Sequence, residues 1–455
     1  MLNTVELPLW LVILIVLFAA VTFASHFLFP SVRWFFRRRM EKAVARLNER
    51  LERPIQPFKL ARRHDMIQRL IYDGAVWEAI VDHARKEAVP ENVAFERAKR
   101  YAREIVPSFS ATLYYGFAIR LARFLSRSLY RVRMGHHAHD MLAGVDRDAT
   151  VVFVMNHRSN MDYVLVTYLA AEQSALSYAV GEWARVWPLS RLIKAMGAYF
   201  IRRKSRGALY RRVLARYVAL ATHGGVTQAV FPEGGLSLDG GLQSPKVGIL
   251  KYIVEGHTPE GRDVVFVPVA LNYDRVFEDR ILVEAGTKGE RRFRARISVV
   301  AFYVMRLGWR WLTRRYHRFG YASVSFGAPV SLAGFRDGAR DADVDVEALA
   351  GELMERIGSV VPVLPVPLAA QLLLGSEELT RESFAARFAE AIAGMPEAHV
   401  HAPREDLAYG AEYGLRNLVG RGFVREDAQS GALTVTEEGR PILEYYARSI
   451  AHLLQ

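Results

Sequence analysis

The chain has 455 residues, 51% of them hydrophobic and 24% charged, and no cysteine. It is long enough for two or three domains around a sizeable core, and its composition excludes wholesale disorder, disulfides, thiolate metal sites and a cysteine nucleophile. Lysine and arginine number 61 against 48 acidic residues, a formal excess of +13 that points to anionic partners: lipid headgroups, phosphates or nucleic acid.

From Leu7 to Ser25 (LPLWLVILIVLFAAVTFAS) nothing is charged, and the apolar character continues through Phe29. At about 1.5 Å per residue, such a helix can cross a hydrocarbon core of roughly 30 Å. A cleaved signal peptide is the rival, but MLNTVE before the run carries no Lys or Arg. Arg33, Arg37, Arg38, Arg39 and Lys42 follow it, so the expected anchor (residues 1–30) is single-pass, with the catalytic body on the cytoplasmic side of an inner membrane. Residues 31–110 read as helical, punctuated by Pro54, Pro57 and Pro90, with no catalytic spacing.

A helix is expected over Tyr114–Val132. At 100° per residue, Arg120, Arg123, Arg127 and Arg131 form one stripe, opposite Tyr114, Ala118, Leu121, Leu125, Leu129 and Val132. The pattern suits a surface of anionic lipid, and equally a surface helix packed on its own domain. Beyond Ala149, short apolar runs alternate with helical stretches. VVFVM (151–155), TQAVF (227–231), VVFVPVAL (264–271) and YASVSFG (321–327) look like buried strands. Alternation of this kind predicts an α/β domain over 111–360, a mixed sheet flanked by helices. Prolines in VVPVLPVPL (360–368) mark a boundary, and 361–455 reads as mostly helical with a strand pair near 423–436.

Chemistry is concentrated in VVFVMNHRSNMDYV, where His157 stands just past a strand and Asp162 five residues later. A strand leading through such a turn into a helix exposes side chains at the sheet edge, where α/β proteins place their sites. Histidine titrates near pH ~6.5, so it can take a proton from an alcohol, and a nearby carboxylate can hold the ring and stabilise the imidazolium. The same spacing also fits a turn His and an N-cap Asp. GAYFIRR (197–203) offers Arg202 and Arg203, with Lys204 and Arg206 behind them, as a phosphate cluster. In FPEGGLS (231–237), Gly234 and Gly235 let backbone amides approach an anion or oxyanion, Glu233 can bind glycerol hydroxyls and Ser237 can donate a hydrogen bond. VPVALNYD (267–274) is another strand end, with Pro268 inside it.

In this order and spacing the blocks resemble the glycerolipid acyltransferase superfamily and, within it, the bacterial membrane-bound glycerol-3-phosphate acyltransferases. The resemblance covers roughly residues 150–280 and returns at GRPILEYYARSIAHL near the carboxyl end. HRSNMDY and GAYFIRR favour this branch over the lysophosphatidate acyltransferases. The resemblance implies that His157 and Asp162 are the catalytic pair, that Arg202 or Arg203, Glu233, Gly234 and Ser237 contact the acyl acceptor, and that Pro268 belongs to the fourth motif. The donor it implies is an acyl thioester of coenzyme A or acyl carrier protein, as co-substrate and not cofactor. The family usually carries Arg in the third block; here the position is Leu236, so Arg202, Arg203, Arg206 or Lys246 must serve the phosphate, or the acceptor is a different alcohol.

The expected reaction is therefore acyl transfer to the sn-1 hydroxyl of glycerol 3-phosphate, with Gly234–Gly235 as oxyanion donors. The alternatives are 1-acylglycerol 3-phosphate or dihydroxyacetone phosphate as acceptor, or a non-catalytic membrane-surface scaffold. No metal site is expected, since HHAH (136–139) has no matching carboxylate motif. The basic aromatic runs at 291–296 and 306–320 are assigned to anionic lipid and not to nucleic acid.

Overall fold

A computed structural model describes residues 8–454 apart from 136–141, 143, 171–173, 182–184, 186, 188, 203–206, 259, 290–317, 338–343, 377–378, 396–399 and 401–405, with backbone alone for 23–33, 36, 37, 40 and 170. Arg203, Lys204, Arg206, the HHAH run, the 291–296 run and most of 306–320 lie outside the described residues. The chain divides into two units, Met1–Ile55 and Gln56–Gln455.

One helix, Leu9–Asn48, makes up most of the first unit. Its apolar side chains are largely exposed, among them Trp10, Leu14, Leu17 and Phe18, so protein packing does not account for their hydrophobicity. Among the described residues no helix is long and apolar enough to cross a membrane. The described apolar side chains run from Pro8 to Thr22, fewer than the ~20 that a span requires, and the expected span extends past both ends of them.

The second unit is built on a mixed sheet. Its strands are β1 (Arg131–Met134), β2 (Thr150–Met155), β3 (Ser177–Gly181), β4 (Tyr199–Ile201), β5 (Gln228–Val230), β6 (Val264–Tyr273), β7 (Tyr321–Phe326) and β8 (Val330–Ser331). The order is β1-β7-β6-β2-β5-β3-β4, with β8 also on β6. β6, β2, β5, β3 and β4 are mutually parallel, and β7 and β8 run antiparallel to β6. β2 and β6 are buried at every position, which explains why they read as unbroken apolar runs and not as alternating ones. A separate hairpin pairs Val424–Glu426 with Leu433–Val435, where the strand pair was expected.

Pro268 sits in the middle of β6 without losing a ladder bond. Its carbonyl accepts from Gly327 N–H, so its nitrogen faces the side where β7 has ended at Phe326 and β8 begins at Val330. The helix expected over Tyr114–Val132 is shorter: a π-helical turn at Tyr114–Ala118 leads into Ile119–Leu129, and Arg131 and Val132 belong to β1. It buries Ile119, Ala122, Ser126 and Leu129 and packs on the helix Met161–Ala170. Phe117 and Phe124 are exposed beside Arg120, as helical spacing places them. β1, β3 and β4 were not foreseen. They are only three to five residues long, too short to show a period.

Candidate active site

β2 delivers the site. Past Met155 the chain leaves the sheet, and the Asn156 side chain takes over the pairing: its Nδ2 donates to Leu271 O at 3.0 Å and its Oδ1 accepts from Leu271 N at 2.8 Å. One amide side chain thus replaces a ladder step on β6, and the backbone is free to turn without leaving the Leu271 peptide groups unpaired. His157 is the next residue and is 2% exposed. Its main-chain N–H donates to Glu233 Oε2 at 2.8 Å, and its carbonyl accepts from Ser237 N–H at 2.9 Å. The imidazole stacks on Phe231 with ring centres 4.1 Å apart and meets Tyr163 edge-on.

His157 Nδ1 lies 2.9 Å from Asp162 Oδ2, and Asp162 is fully buried. The same oxygen accepts the main-chain N–H groups of Arg158 and Ser159, at 2.7 and 3.0 Å, while Oδ1 accepts the Tyr273 hydroxyl at 2.6 Å. Donors surround the carboxylate, so it presents only acceptors to the imidazole, which fixes the proton on Nδ1 and turns the lone pair of Nε2 away from Asp162. Asp162 stands in the first turn of the helix Met161–Ala170, where the helix dipole favours a negative charge.

A second buried carboxylate braces the turn. Glu278 Oε2 accepts from Ser159 Oγ at 2.7 Å, and Oε1 accepts from Asn160 N and Nδ2. Burial pushes both Glu278 and Glu233 above the usual carboxylate range, although their hydrogen-bond donors oppose the shift. The carboxyl-terminal segment closes over the same region. Arg158, 2% exposed, donates from Nη2 to Ser449 O, and Tyr446 donates to Asp279 Oδ2 at 2.6 Å while accepting from Val276 N–H.

The FPEGG turn lies beside His157. Gly234 has φ +67, a left-handed conformation that favours glycine, and a Cβ there would stand 2.8 Å from Lys246 Cδ, a contact the lysine could relieve by shifting. The Gly234 N–H closes the turn onto Phe231 O. Glu233 uses both carboxylate oxygens on main-chain amides, those of His157 and Gln243. Ser237 Oγ donates to Gly241 O at 2.7 Å. Leu236 packs against the hydrophobic core.

His157, Asp162, Glu233, Gly234, Gly235 and Ser237 are thus brought together. Arg202 stands elsewhere: it follows β4, three strands from β2 in the sheet order, roughly 14 Å at ~4.8 Å per strand. Its Nε and Nη2 form a fork on Glu104, at 2.8 and 2.6 Å, and its guanidinium lies against the rings of both Tyr101 and Tyr210. Glu104 also takes Arg185 at 2.8 Å. Pro268 pairs with Val154 in mid-sheet, short of the strand end that carries the site. Asn156, Tyr273 and Glu278 are the contributors that the motif reading did not single out. VPVALNYD pointed to the strand of Tyr273, but no sequence signal pointed to its partner.

The acyltransferase family model matches residues 138–272, and the model of the glycerol-3-phosphate acyltransferase C-terminal region matches residues 309–455. The chain thus carries one region similar to the acyltransferase family and a second similar to the glycerol-3-phosphate acyltransferase C-terminal region. It is similar to the glycerol-3-phosphate acyltransferase of Pseudomonas entomophila (strain L48), 26% identical over 439 residues, covering 91% of this chain and 52% of that protein. The protein of the same name from Pseudomonas savastanoi pv. phaseolicola (strain 1448A / Race 6) is 27% identical over 421 residues, covering 87% and 49%. That of Alteromonas mediterranea is 25% identical over 420 residues, covering 87% and 50%. The chain therefore spans about half the length of the curated relatives it matches. Among solved structures, the 1-acyl-sn-glycerophosphate acyltransferase of Thermotoga maritima aligns over 53% of this chain and 76% of its own, at 19% identity and a TM-score of 0.33.

Proposed function

We propose that the chain transfers a fatty acyl group from an acyl thioester to the sn-1 hydroxyl of glycerol 3-phosphate, with His157 as general base and Asp162 as its orienting acid. The observation that carries this reading is the 2.9 Å contact between His157 Nδ1 and Asp162 Oδ2 at the carboxyl end of β2. With Nδ1 committed to the carboxylate, Nε2 takes the proton of the acceptor hydroxyl as that oxygen attacks the thioester carbonyl. The tetrahedral intermediate collapses, the C–S bond breaks, and the thiolate of coenzyme A or acyl carrier protein leaves with the proton returned from Nε2. No serine is needed, because the substrate hydroxyl stands in its place. The Gly235 N–H, which has no acceptor among the described residues, is the donor assigned to the developing oxyanion.

The acceptor phosphate requires fixed positive charge. Arg202 is held by Glu104, and Leu236 is apolar. Lys246, exposed against the Gly234 turn, is the basic side chain assigned to the phosphate. Residues 7–29 are assigned to an inner-membrane anchor, with the acyltransferase body on the cytoplasmic side, on the strength of the exposed apolar face of Leu9–Val21 and the arginines that follow it. Anionic lipid headgroups are the partners assigned to the basic surface.

Leu236 favours weighing a second acceptor on the same chemistry, 1-acylglycerol 3-phosphate or dihydroxyacetone phosphate. One assay decides. Purified full-length protein in detergent or vesicles is given a labelled acyl thioester and each acceptor in turn. Faster product formation with glycerol 3-phosphate supports the proposal, preference for another acceptor corrects the substrate, and no transfer to any acceptor leaves a non-catalytic membrane scaffold.

A further inference from the structure

We infer that Tyr273 is a positioning residue and the third member of the His157–Asp162 unit. Its hydroxyl holds Asp162 Oδ1, so that Oδ2 stays on His157. The inference rests on the base role proposed for His157.

The geometry is specific. Tyr273 ends β6, the strand beside β2, and its hydroxyl reaches Asp162 Oδ1 at 2.6 Å across a fully buried contact. The other three donors to Asp162 all act on Oδ2. Without the tyrosine, Oδ1 would be a buried acceptor that has lost its 2.6 Å donor, which is costly and is relieved by rotation or by protonation. Either response weakens the grip on the imidazole. The tyrosine is itself fixed: its ring lies 5.3 Å from that of Tyr130, whose hydroxyl donates to Arg275 O. Burial beside Asp162 keeps the Tyr273 phenol far above its ordinary range, so it remains a donor at any pH at which the protein works.

Other charged and titratable groups face the pair. Glu233 and Arg158 bear on the His157 side, and Glu278 and Tyr130 on the Asp162 and Tyr273 side, with Tyr163 edge-on to the imidazole. The Tyr273 hydroxyl is the group that donates to Oδ1 of Asp162.

Once Oδ1 loses its donor and Asp162 rotates or takes up a proton, the imidazolium loses part of its anionic partner, and the base persists to lower pH. The test is the pH profile of kcat/KM for full-length Tyr273→Phe, which keeps the ring packing and loses only the hydroxyl. The expected result is a kcat about tenfold lower, the worth of one charge-assisted hydrogen bond. The acidic limb moves down by about half a pH unit or more, and both KM values stay within about twofold. A fluorinated tyrosine at the same position, a stronger donor of nearly the same shape, moves the limb the opposite way, and this arm keeps the test valid should the phenylalanine variant fold poorly. If both variants keep the parental limb, with kcat within about twofold, Tyr273 only fills space and the inference falls. His157→Ala separates the two claims: if it is active, the base assignment itself fails, whereas if it is inactive and the limb does not move, only the role of Tyr273 fails.

Discussion

Glu233 Oε2 accepts the main-chain N–H of His157 at 2.8 Å, and four residues further on Ser237 N–H donates to the His157 carbonyl at 2.9 Å. The FPEGGLS segment therefore grips the backbone of the His157 turn at both ends of one residue. Glu233→Gln keeps the shape but turns one acceptor into a donor, so either His157 N–H or Gln243 N–H loses its partner. A buried unsatisfied N–H costs about 1–3 kcal/mol. The expected outcome is a thermal midpoint lowered by several degrees and a kcat reduced about tenfold or more, because the imidazole is displaced with its backbone. Steady-state kinetics and thermal unfolding on the same preparation check it, and an unchanged kcat would free His157 from this brace.

Arg202 and Glu104 make the opposite kind of prediction. Arg202 was expected at the acceptor, but its two-pronged bond to a buried carboxylate describes a structural ion pair. Arg202→Ala leaves Glu104 with Arg185 alone and should destabilise by about 1–3 kcal/mol, discounted for the partial exposure of both arginines. Its KM for glycerol 3-phosphate should stay within about threefold, a shift of under 1 kcal/mol. Removing Glu104 as well should cost much less than the sum of the single losses, which a double-mutant cycle in denaturant reads directly. A KM raised about a hundredfold with unchanged stability would return Arg202 to the phosphate.

Stability should also depend on pH through Asp274. Burial pushes its carboxyl from 3.8 up to about 7, against the pull of two main-chain donors, Val366 and Tyr321. The folded state therefore holds a proton that the unfolded chain gives up near pH ~4. The stabilisation is fully present below that value and is lost as pH rises through about 7. The upper bound is about 4 kcal/mol, at about 1.4 kcal/mol per pH unit. Glu233 and Glu278, raised by the same cause, add with the same sign. Denaturant midpoints measured from pH 4 to 8 should fall with rising pH, and Asp274→Asn should flatten the slope.

The His157–Asp162 pair was legible because its chemistry is local: a strand, a turn and a helix start within one short segment, and the two side chains five residues apart meet. The central strands were legible for a related reason, since β2 and β6 are buried on both faces and so are apolar throughout. Tyr273 and Glu278 were not legible. They reach the turn from 111 and 119 residues away, and nothing in VPVALNYD or in FED states which side chain they will meet. The partner of Arg202 was hidden for the same reason: nothing in GAYFIRR points to Glu104, 98 residues earlier. The exposure of Phe117 and Phe124 was legible from the 100° wheel, which sets them about 60° and 40° from Arg120, on the flank of the arginine stripe.

The central claim is tested most directly by the turnover of His157→Ala with glycerol 3-phosphate and an acyl thioester, measured on protein whose thermal midpoint matches the parent. The account predicts a kcat lower by about 10²–10⁴, the worth of general-base action, with KM for the acceptor little changed. A folded variant turning over within about threefold of the parent contradicts it.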